Sequence, residues 1–247
     1  MAFTSASFIV LTIASVLLYY IVPKKAQWCI LLLASAAFYM AGSVKAFAWV
    51  VLVAGMTWVT GLILGRYNAI KPADKAQKAQ IQHKKKQIAI ICAVCCFGLL
   101  YAMKYWNFTL KLLPSALGNH IPRWDFVVPL GLSFFIFQSM SYVIDVYREP
   151  EMVSHSFKKV LLYSAFFPQL IAGPIVKYHD IEQEIDSRRT TPQETALGIR
   201  RFICGLSKKL LMSNALGQMA DTVFALPAGE IGMLAGWTGA ICYTLQI

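Results

Sequence analysis

The stretch AFAWVVLVAGMTWVTGLILG, Ala46–Gly65, decides the class of this protein, because its twenty residues carry no charge. About 20 consecutive apolar residues are needed for a helix to cross the hydrocarbon core of a bilayer. Of the 247 residues, 57% are hydrophobic and 14% are charged, whereas soluble domains carry about 25% charged residues. The sequence therefore excludes a soluble domain, a disordered chain and a secreted disulfide scaffold. It predicts an all-α, polytopic transmembrane helical bundle.

Similar apolar runs lie on both sides of this stretch, each bounded by charged or turn residues. We interpret residues 1–247 as a single membrane domain. The last run ends without a polar flank, so we expect the sequence to stop inside a transmembrane helix. The further spans predicted are Ala6–Val22, Ala26–Ala41, Ile88–Met103, Phe126–Ile144 and Ile231–Ile247.

Basic residues concentrate in residues 66–87, which hold seven Lys and Arg against Asp74 and supply +6 of the net charge of +11. Cytoplasmic connections between spans carry an excess of Lys and Arg, so we predict a basic cytoplasmic loop here and an extracytoplasmic N-terminus in a cell (inner) membrane. A reporter fused at Lys78 should be cytoplasmic, and a periplasmic signal would contradict this orientation. Membrane lipids are the expected partner, and nucleic acid is not.

A second unusual stretch is Phe166–Val176, which is apolar but contains two prolines and a glycine. Proline removes a backbone donor and clashes with the preceding helical turn. A broken backbone at membrane depth is tolerated only inside protein or beside a water-filled cavity. Two interpretations stay open: a broken or re-entrant element that lines an internal cavity, or an ordinary kinked span.

Polar residues recur at three- and four-residue spacing in the predicted helix before this stretch, so Gln138, Ser141, Tyr142 and Asp145 share one face. In lipid such a face should point into the bundle. It serves either for interhelical hydrogen bonds or as a wall of a substrate tunnel. The candidate tunnel-lining residues are Gln138, Ser141, Tyr142, Pro168, Gln169, Gly173 and Pro174.

Two polar segments complete the prediction. Residues 105–125 are expected to form an outer segment rich in aromatic residues, and residues 177–191 a polar loop. Thr191 is a suitable N-cap, with Pro192 at the first helical position and Glu194 at the third. The helix that follows carries basic residues around an apolar face, so we expect it to lie along the membrane surface.

Residues that could carry chemistry are scarce. The four histidines lie in polar or turn-rich segments, where solvated surface positions are expected; they are His83, His120, His155 and His179. Cys92 and Cys95 have C-x-x-C spacing, but in an uncharged helical run without a nearby histidine we interpret them as packing residues. We therefore predict no metal site, no bound cofactor and no catalytic residue within this chain.

Two runs together resemble the membrane-bound O-acyltransferase superfamily: PLGLSFFIFQSMSYVIDVYRE (Pro129–Glu149) and FFPQLIAGPIVKYHDI (Phe166–Ile181). The closest branch is that of alginate O-acetylases and D-alanyl transfer, for which FPQLIAGPI is specific. The resemblance extends over essentially all 247 residues. It includes MAFTSASFIVL (1–11), YYIVPKK (19–25), LLLASAAFYMAG (31–42) and CYTLQI (242–247), where the family continues through YFDFSGYSDMAIG.

The resemblance implies a funnel of helices around a tunnel, through which an acyl group passes from a cytoplasmic donor to an extracytoplasmic polysaccharide or carrier protein. The donor is expected to be acetyl-CoA or an acyl-carrier. An extracytoplasmic acyltransferase or carrier protein of a polysaccharide-modification complex is the expected partner. The family's catalytic histidine belongs to a later span, beyond Ile247, so we expect the chain alone to be inactive. At Lys177–His179 relatives commonly have two basic residues around the tyrosine, and His179 is not taken as the catalytic histidine.

Two alternatives stay open. A transporter or flippase for a cell-envelope precursor would also use a broken element near the midplane, although such proteins usually have paired broken segments in two repeats. A non-catalytic remnant, or a scaffold of an acyl-transfer complex, is the other. Acetyl release from a labelled donor would distinguish an enzyme, and precursor uptake into vesicles would favour a carrier.

Overall fold

The computed structural model describes residues 5–112, 122–124, 126, 128–129, 131–169, 176–187, 191–227 and 229–247. Within these ranges the regular structure is helical, as the composition predicts. The chain divides into two compact units, Ser7–Ser187 and Arg188–Ile247. The helices are α1 (Ala6–Ile21), α2 (Gln27–Met40), α3 (Val44–Asn68), α4 (Lys75–Lys104), α5 (Trp106–Leu112), α6 (Leu132–Arg148), α7 (Phe157–Ala165), α8 (Tyr178–Ser187), α9 (Pro192–Lys208), α10 (Asn214–Phe224) and α11 (Met233–Gln246), with a π-helical segment at Lys209–Ser213.

Two of the described helices are long and apolar enough to cross a membrane. They are α3, with 25 residues, and α4, with 30 residues, and α1 is apolar but shorter. The helix α3 contains the whole of the stretch Ala46–Gly65 from which the membrane class was predicted. The other expected spans stay predictions.

The basic segment is more helical than expected. The helix α4 begins at Lys75, so the expectation of a loop holds only for residues 69–74, between α3 and α4. Alanine, lysine and glutamine are strong helix formers, and they dominate the sequence after Asp74, which is extended and precedes the first turn. Lys85 on α4 is buried, and its ammonium group lies 5.1 Å from the centre of the Tyr147 ring.

Two other segments expected to be connections also contain helices. The helix α5 lies within residues 105–125, and α8 occupies most of residues 177–191. In α8, Tyr178 is buried, and Ile181 and Ile185 are half-buried. These residues recur at three- and four-residue spacing and therefore form one apolar stripe. The high charge of the segment instead favours the prediction of a loop.

The first unit is built around α3. Its residues Val50, Val53 and Ala54 are fully buried. The indole Nε1 of Trp58 donates a hydrogen bond of 3.1 Å to the carbonyl of Ser154, which fixes the chain between α6 and α7. Because α3 is packed in this way, its neighbours α6 and α7 have defined positions for the polar side chains described below.

The second unit contains an antiparallel helical hairpin formed by α10 and α11. Gly239 on α11 faces Val223, and a Cβ atom at Gly239 would lie 2.9 Å from the Val223 side chain. Small residues at helix interfaces in membranes let the backbones approach closely. The sequence of the hairpin therefore favours tight backbone packing.

The start of α9 confirms the predicted capping box. The hydroxyl of Thr191 accepts a hydrogen bond of 3.2 Å from the backbone N–H of Glu194. The Glu194 carboxylate in turn accepts bonds of 2.8 Å from the Thr191 N–H and 3.0 Å from its hydroxyl. These bonds satisfy backbone donors that every helix N-terminus leaves unpaired.

The capping box should make the first turn of α9 sensitive to acid. The backbone N–H and hydroxyl of Thr191 lower the pKa of Glu194 below its ordinary value of 4.5. A carboxylate whose pKa is lowered in the folded state stabilises the turn at pH values above its unfolded-state pKa. This stabilisation is lost as the pH falls through the folded-state pKa. Protection factors of the first-turn amides of α9, each taken relative to the intrinsic exchange rate at the same pH, should fall in acid, and Thr191→Ala should lower them at neutral pH. Thr222→Ala on α10 is the control, and equal effects of the two variants would contradict the prediction.

Candidate functional site

The polar face of α6 points into the first unit, as predicted. Gly131 precedes the helix in a left-handed conformation, with φ of 71°, which glycine adopts without steric cost. Gln138 is 6% exposed, Tyr142 is fully buried, and Ser141 and Asp145 are half-buried. The face is therefore internal to the helices that surround it.

Gln138 satisfies a carbonyl at the end of a broken helix. The helix α7 ends at Ala165, and Phe166 has an extended conformation. The N–H of Phe167 donates to the Ser35 hydroxyl at 3.3 Å instead of continuing the helix, and the next residue is a proline without an N–H. The amide Nε2 of Gln138 donates a 2.9 Å hydrogen bond to the carbonyl of Tyr163.

The interrupted segment is attached to α6 and α7 at both of its described ends. At the first end, Nε2 of Gln138 also donates to Oε1 of Gln169 at 2.9 Å. At the second, the Tyr163 hydroxyl donates to the carbonyl of Val176 at 2.7 Å, and the half-buried Ser141 side chain lies close to this hydroxyl. These bonds hold the chain where it leaves and re-enters helical structure.

Further along α6, two more residues bind neighbouring backbone. The hydroxyl of Tyr142 accepts a 3.3 Å hydrogen bond from the N–H of Ser154. The carboxylate of Asp145 accepts a 3.1 Å bond from the N–H of Tyr178, the first residue of α8. The Tyr178 ring packs edge-to-face on Tyr142 at 4.8 Å and on Tyr163 at 5.2 Å between ring centres. Aromatic rings prefer this geometry, so the three rings fix one another.

A serine pair completes the arrangement. The hydroxyl of Ser139 on α6 donates to that of Ser164 on α7 at 2.9 Å, and both side chains are buried. Buried hydroxyl groups are costly unless they are hydrogen-bonded. We call the whole network the polar seam; it comprises Gln138, Ser139, Ser141, Tyr142 and Asp145 on α6 with Tyr163, Ser164, Gln169 and Tyr178.

Some of the predicted tunnel-lining residues lie in the polar seam and others do not. Gln138, Ser141, Tyr142 and Gln169 lie in it. Pro168 is exposed, and Gly173 and Pro174 lie outside the described residues. The helix α7 ends at Ala165, and whether Phe166–Val176 forms a broken or re-entrant element or an ordinary kinked span stays a prediction.

Four residues of the polar seam were missed by sequence reasoning. Ser139 falls between the positions of the three- and four-residue spacing. Ser164 and Tyr163 lie in an apolar run without a periodic polar signal. Tyr178 acts through its backbone N–H and its ring, for which composition gives no signal.

The described histidines and cysteines are separate from the seam. His83, His155 and His179 are exposed as predicted, and His120 lies outside the described residues. His179 contacts Glu149 at 3.4 Å, with both side chains more than half exposed. Cys92 is buried as expected of a packing residue, but Cys95 is exposed. The described bonds of the polar seam hold neighbouring backbone and side chains, and none of its described residues is a histidine able to act as a general base.

The sequence of the chain matches a family of known proteins. The sequence profile of MBOAT, the membrane-bound O-acyltransferase family, matches residues 31–228. The chain is 31% identical over its whole length to proteins named probable alginate O-acetylase AlgI, covering 48% of the Azotobacter vinelandii protein and 46% of the Pseudomonas aeruginosa protein. It is 26% identical, over 71% of its length, to a peptidoglycan O-acetyltransferase of Helicobacter pylori, of which it covers 38%.

The chain thus spans about half the length of the AlgI proteins that it matches. No solved structure matches it significantly. The family profile covers well over half of the 247 residues and includes the helices α6, α7 and α8, which contribute to the polar seam. The chain belongs to the membrane-bound O-acyltransferase family.

Proposed function

We propose that this chain forms part of a multi-pass O-acyltransferase of the cell (inner) membrane that transfers an acetyl or other short acyl group. The donor is acetyl-CoA or an acyl-carrier on the cytoplasmic side. The acceptor is an extracytoplasmic polysaccharide or a carrier protein of a polysaccharide-modification complex. Support for the reaction comes from family membership and from the similarity to proteins named for alginate and peptidoglycan O-acetylation.

The attachment of the segment after α7 to α6 is the observation that supports particular residues for the proposed function. Gln138 bonds both the carbonyl at the end of α7 and the side chain of Gln169. Broken backbone at membrane depth is compatible only with a protein interior or a water-filled cavity. We therefore assign the polar seam to the wall of the acyl-transfer tunnel, with Gln138, Ser141, Tyr142, Gln169 and the segment containing Gly173 and Pro174 lining it.

The polar seam serves in positioning and not in bond formation. A general base must reach the proton that it removes, within hydrogen-bonding distance or through one water molecule. The described histidines are exposed and none of them is in the seam. We propose that residues beyond the 247 of this chain supply the catalytic histidine, so that these residues alone do not transfer acetyl groups.

The experiment is complementation of a strain from which the gene has been deleted. Ester-linked acetyl on the envelope polysaccharide should disappear in the deletion strain and return with the native gene product. Expression of residues 1–247 alone, with membrane insertion verified by immunoblot, should not restore it. Unchanged acetylation in the deletion strain would contradict the proposed reaction, and restoration by residues 1–247 would contradict the assignment of the catalytic histidine.

A further inference from the structure

The helix α9 has two chemically different faces. Ile199, Phe202, Ile203 and Leu206 follow the i, i+3, i+4, i+7 pattern and form one apolar stripe. The helix lies wholly in the described part of the chain, and none of its residues is buried. The side chains of Ile199, Phe202 and Ile203 are 55%, 47% and 56% exposed. The stripe therefore lacks a cover within its own unit.

The cations of α9 lie on the polar part of its surface, away from the apolar stripe. At 100° per residue, Arg200 follows one edge of the apolar stripe, and Arg201 and Lys208 lie on the opposite side. The only acidic residue of α9 is Glu194, in the first turn, where its carboxylate is engaged in the capping box. The exposed charge of the remaining helix is thus entirely positive.

An exposed apolar stripe on a helix with a cationic polar face favours lipid, and not another protein segment, as the partner of the stripe. A helix that lies in the plane of a membrane interface buries an apolar face among acyl chains while its Lys and Arg side chains reach the headgroups. A helix whose apolar face is covered by another protein segment has no such need for cations on its polar face. Positive charge near an anionic leaflet is also directly attractive.

We propose that α9 is an in-plane membrane helix whose apolar stripe enters one leaflet and whose Arg200, Arg201 and Lys208 bind anionic phospholipid headgroups. The capping box at Thr191 starts the helix at the point where the interfacial segment begins. Lipid binding at α9 is separate from the polar seam, because α9 contributes no residue to the seam.

The depth of α9 is tested with spin labels on the native gene product in vesicles. In a cysteine-free background, single cysteines are placed at Ile199, Phe202 and Ile203 on the stripe, and at Arg201 and Cys204 on the polar face. Labels on the stripe should collide with oxygen and be shielded from a water-soluble nickel chelate. Labels on the polar face should show the reverse. Protection of the stripe from both reagents would mean that protein covers it and would overturn the proposal.

The headgroup preference is tested with a fluorophore at Ile203→Cys and brominated lipids. Brominated phosphatidylglycerol should quench it more strongly than brominated phosphatidylcholine. Combined replacement of Arg200, Arg201 and Lys208 by glutamine should abolish this preference, because the three cations supply the attraction to the anionic headgroup. The matched control replaces Lys24, Lys25 and Lys45, three exposed cations outside residues 66–87, and should leave it unchanged. Equal quenching by the two lipids, or an equal loss in the control, would overturn the proposal.

Discussion

Gln138→Leu in the native gene product is expected to lower acetyl transfer on the order of a hundredfold, because small misplacements of groups that position a substrate have effects of this size. Leucine has a similar volume but cannot donate to the Tyr163 carbonyl or to Gln169. The end of α7 then loses its side-chain cap, and an unsatisfied buried acceptor costs about 1–3 kcal/mol. Acetyl transfer in membranes containing matched amounts of protein is the measurement.

The adjacent residue provides the control for this substitution. Phe137 is 45% exposed and points away from the polar seam, so Phe137→Leu should retain acetyl transfer and membrane abundance. Gln138→Leu should also be present in the membrane near the wild-type amount, because leucine and glutamine have similar volumes. Wild-type acetyl transfer by Gln138→Leu would count against the assignment of Gln138 to the tunnel wall.

Gly61→Ala is expected to be the most destabilising single-methyl change in α3. A Cβ atom at Gly61 would lie 2.5 Å from the hydroxyl oxygen of Tyr142 and 2.8 Å from two carbons of its ring. Tyr142 cannot move aside freely, because Ser154 and the Tyr178 ring hold it. Forcing extra atoms into a packed core costs about 1–3 kcal/mol. The thermal midpoint of the detergent-solubilised protein should fall accordingly.

Gly55→Ala is the matched control on the same helix. A Cβ atom there would have nothing within 4 Å, and alanine is about 1 kcal/mol more favourable than glycine inside a helix. Gly55→Ala should therefore leave the thermal midpoint unchanged or raise it. If the two variants unfold at the same temperature, the close contact between α3 and Tyr142 is not present in the protein.

Features determined by local physics could be predicted from the sequence. Ala46–Gly65 is helical because an apolar run of this length has no other way to satisfy its backbone in lipid. The capping box follows from three residue types at fixed spacing, Thr191, Pro192 and Glu194. The end of α7 follows from Pro168, which cannot continue the helical hydrogen bonds.

Features that depend on competition between preferences could not be predicted. Residues 75–87 are too polar to be read as part of a span, yet their helix propensity extends α4 through them. The high charge of the segment that forms α8 predicts a loop, although Tyr178, Ile181 and Ile185 have helical spacing. In both cases hydropathy reports which residues favour the bilayer and does not report where a helix ends.

The candidate site shows the same division. The spacing of Gln138, Ser141, Tyr142 and Asp145 gives the face that is internal, because periodicity is a property of a single helix. Their partners are set by packing between elements distant in sequence, as for Gln138 with Gln169 or Ser139 with Ser164. The need for glycine at position 61 is visible only once Tyr142 is placed against it.

We expect the native gene product to esterify an acceptor on the far side of the membrane from its acyl donor. The most direct measurement supplies acetyl-labelled donor to the cytoplasmic face of inside-out vesicles and then analyses the lumen. We predict ester-linked label on the lumenal acceptor, strongly reduced by Gln138→Leu and retained by Phe137→Leu. Accumulation of an intact envelope precursor in the lumen, with no ester-linked label, would indicate a transporter and contradict the account.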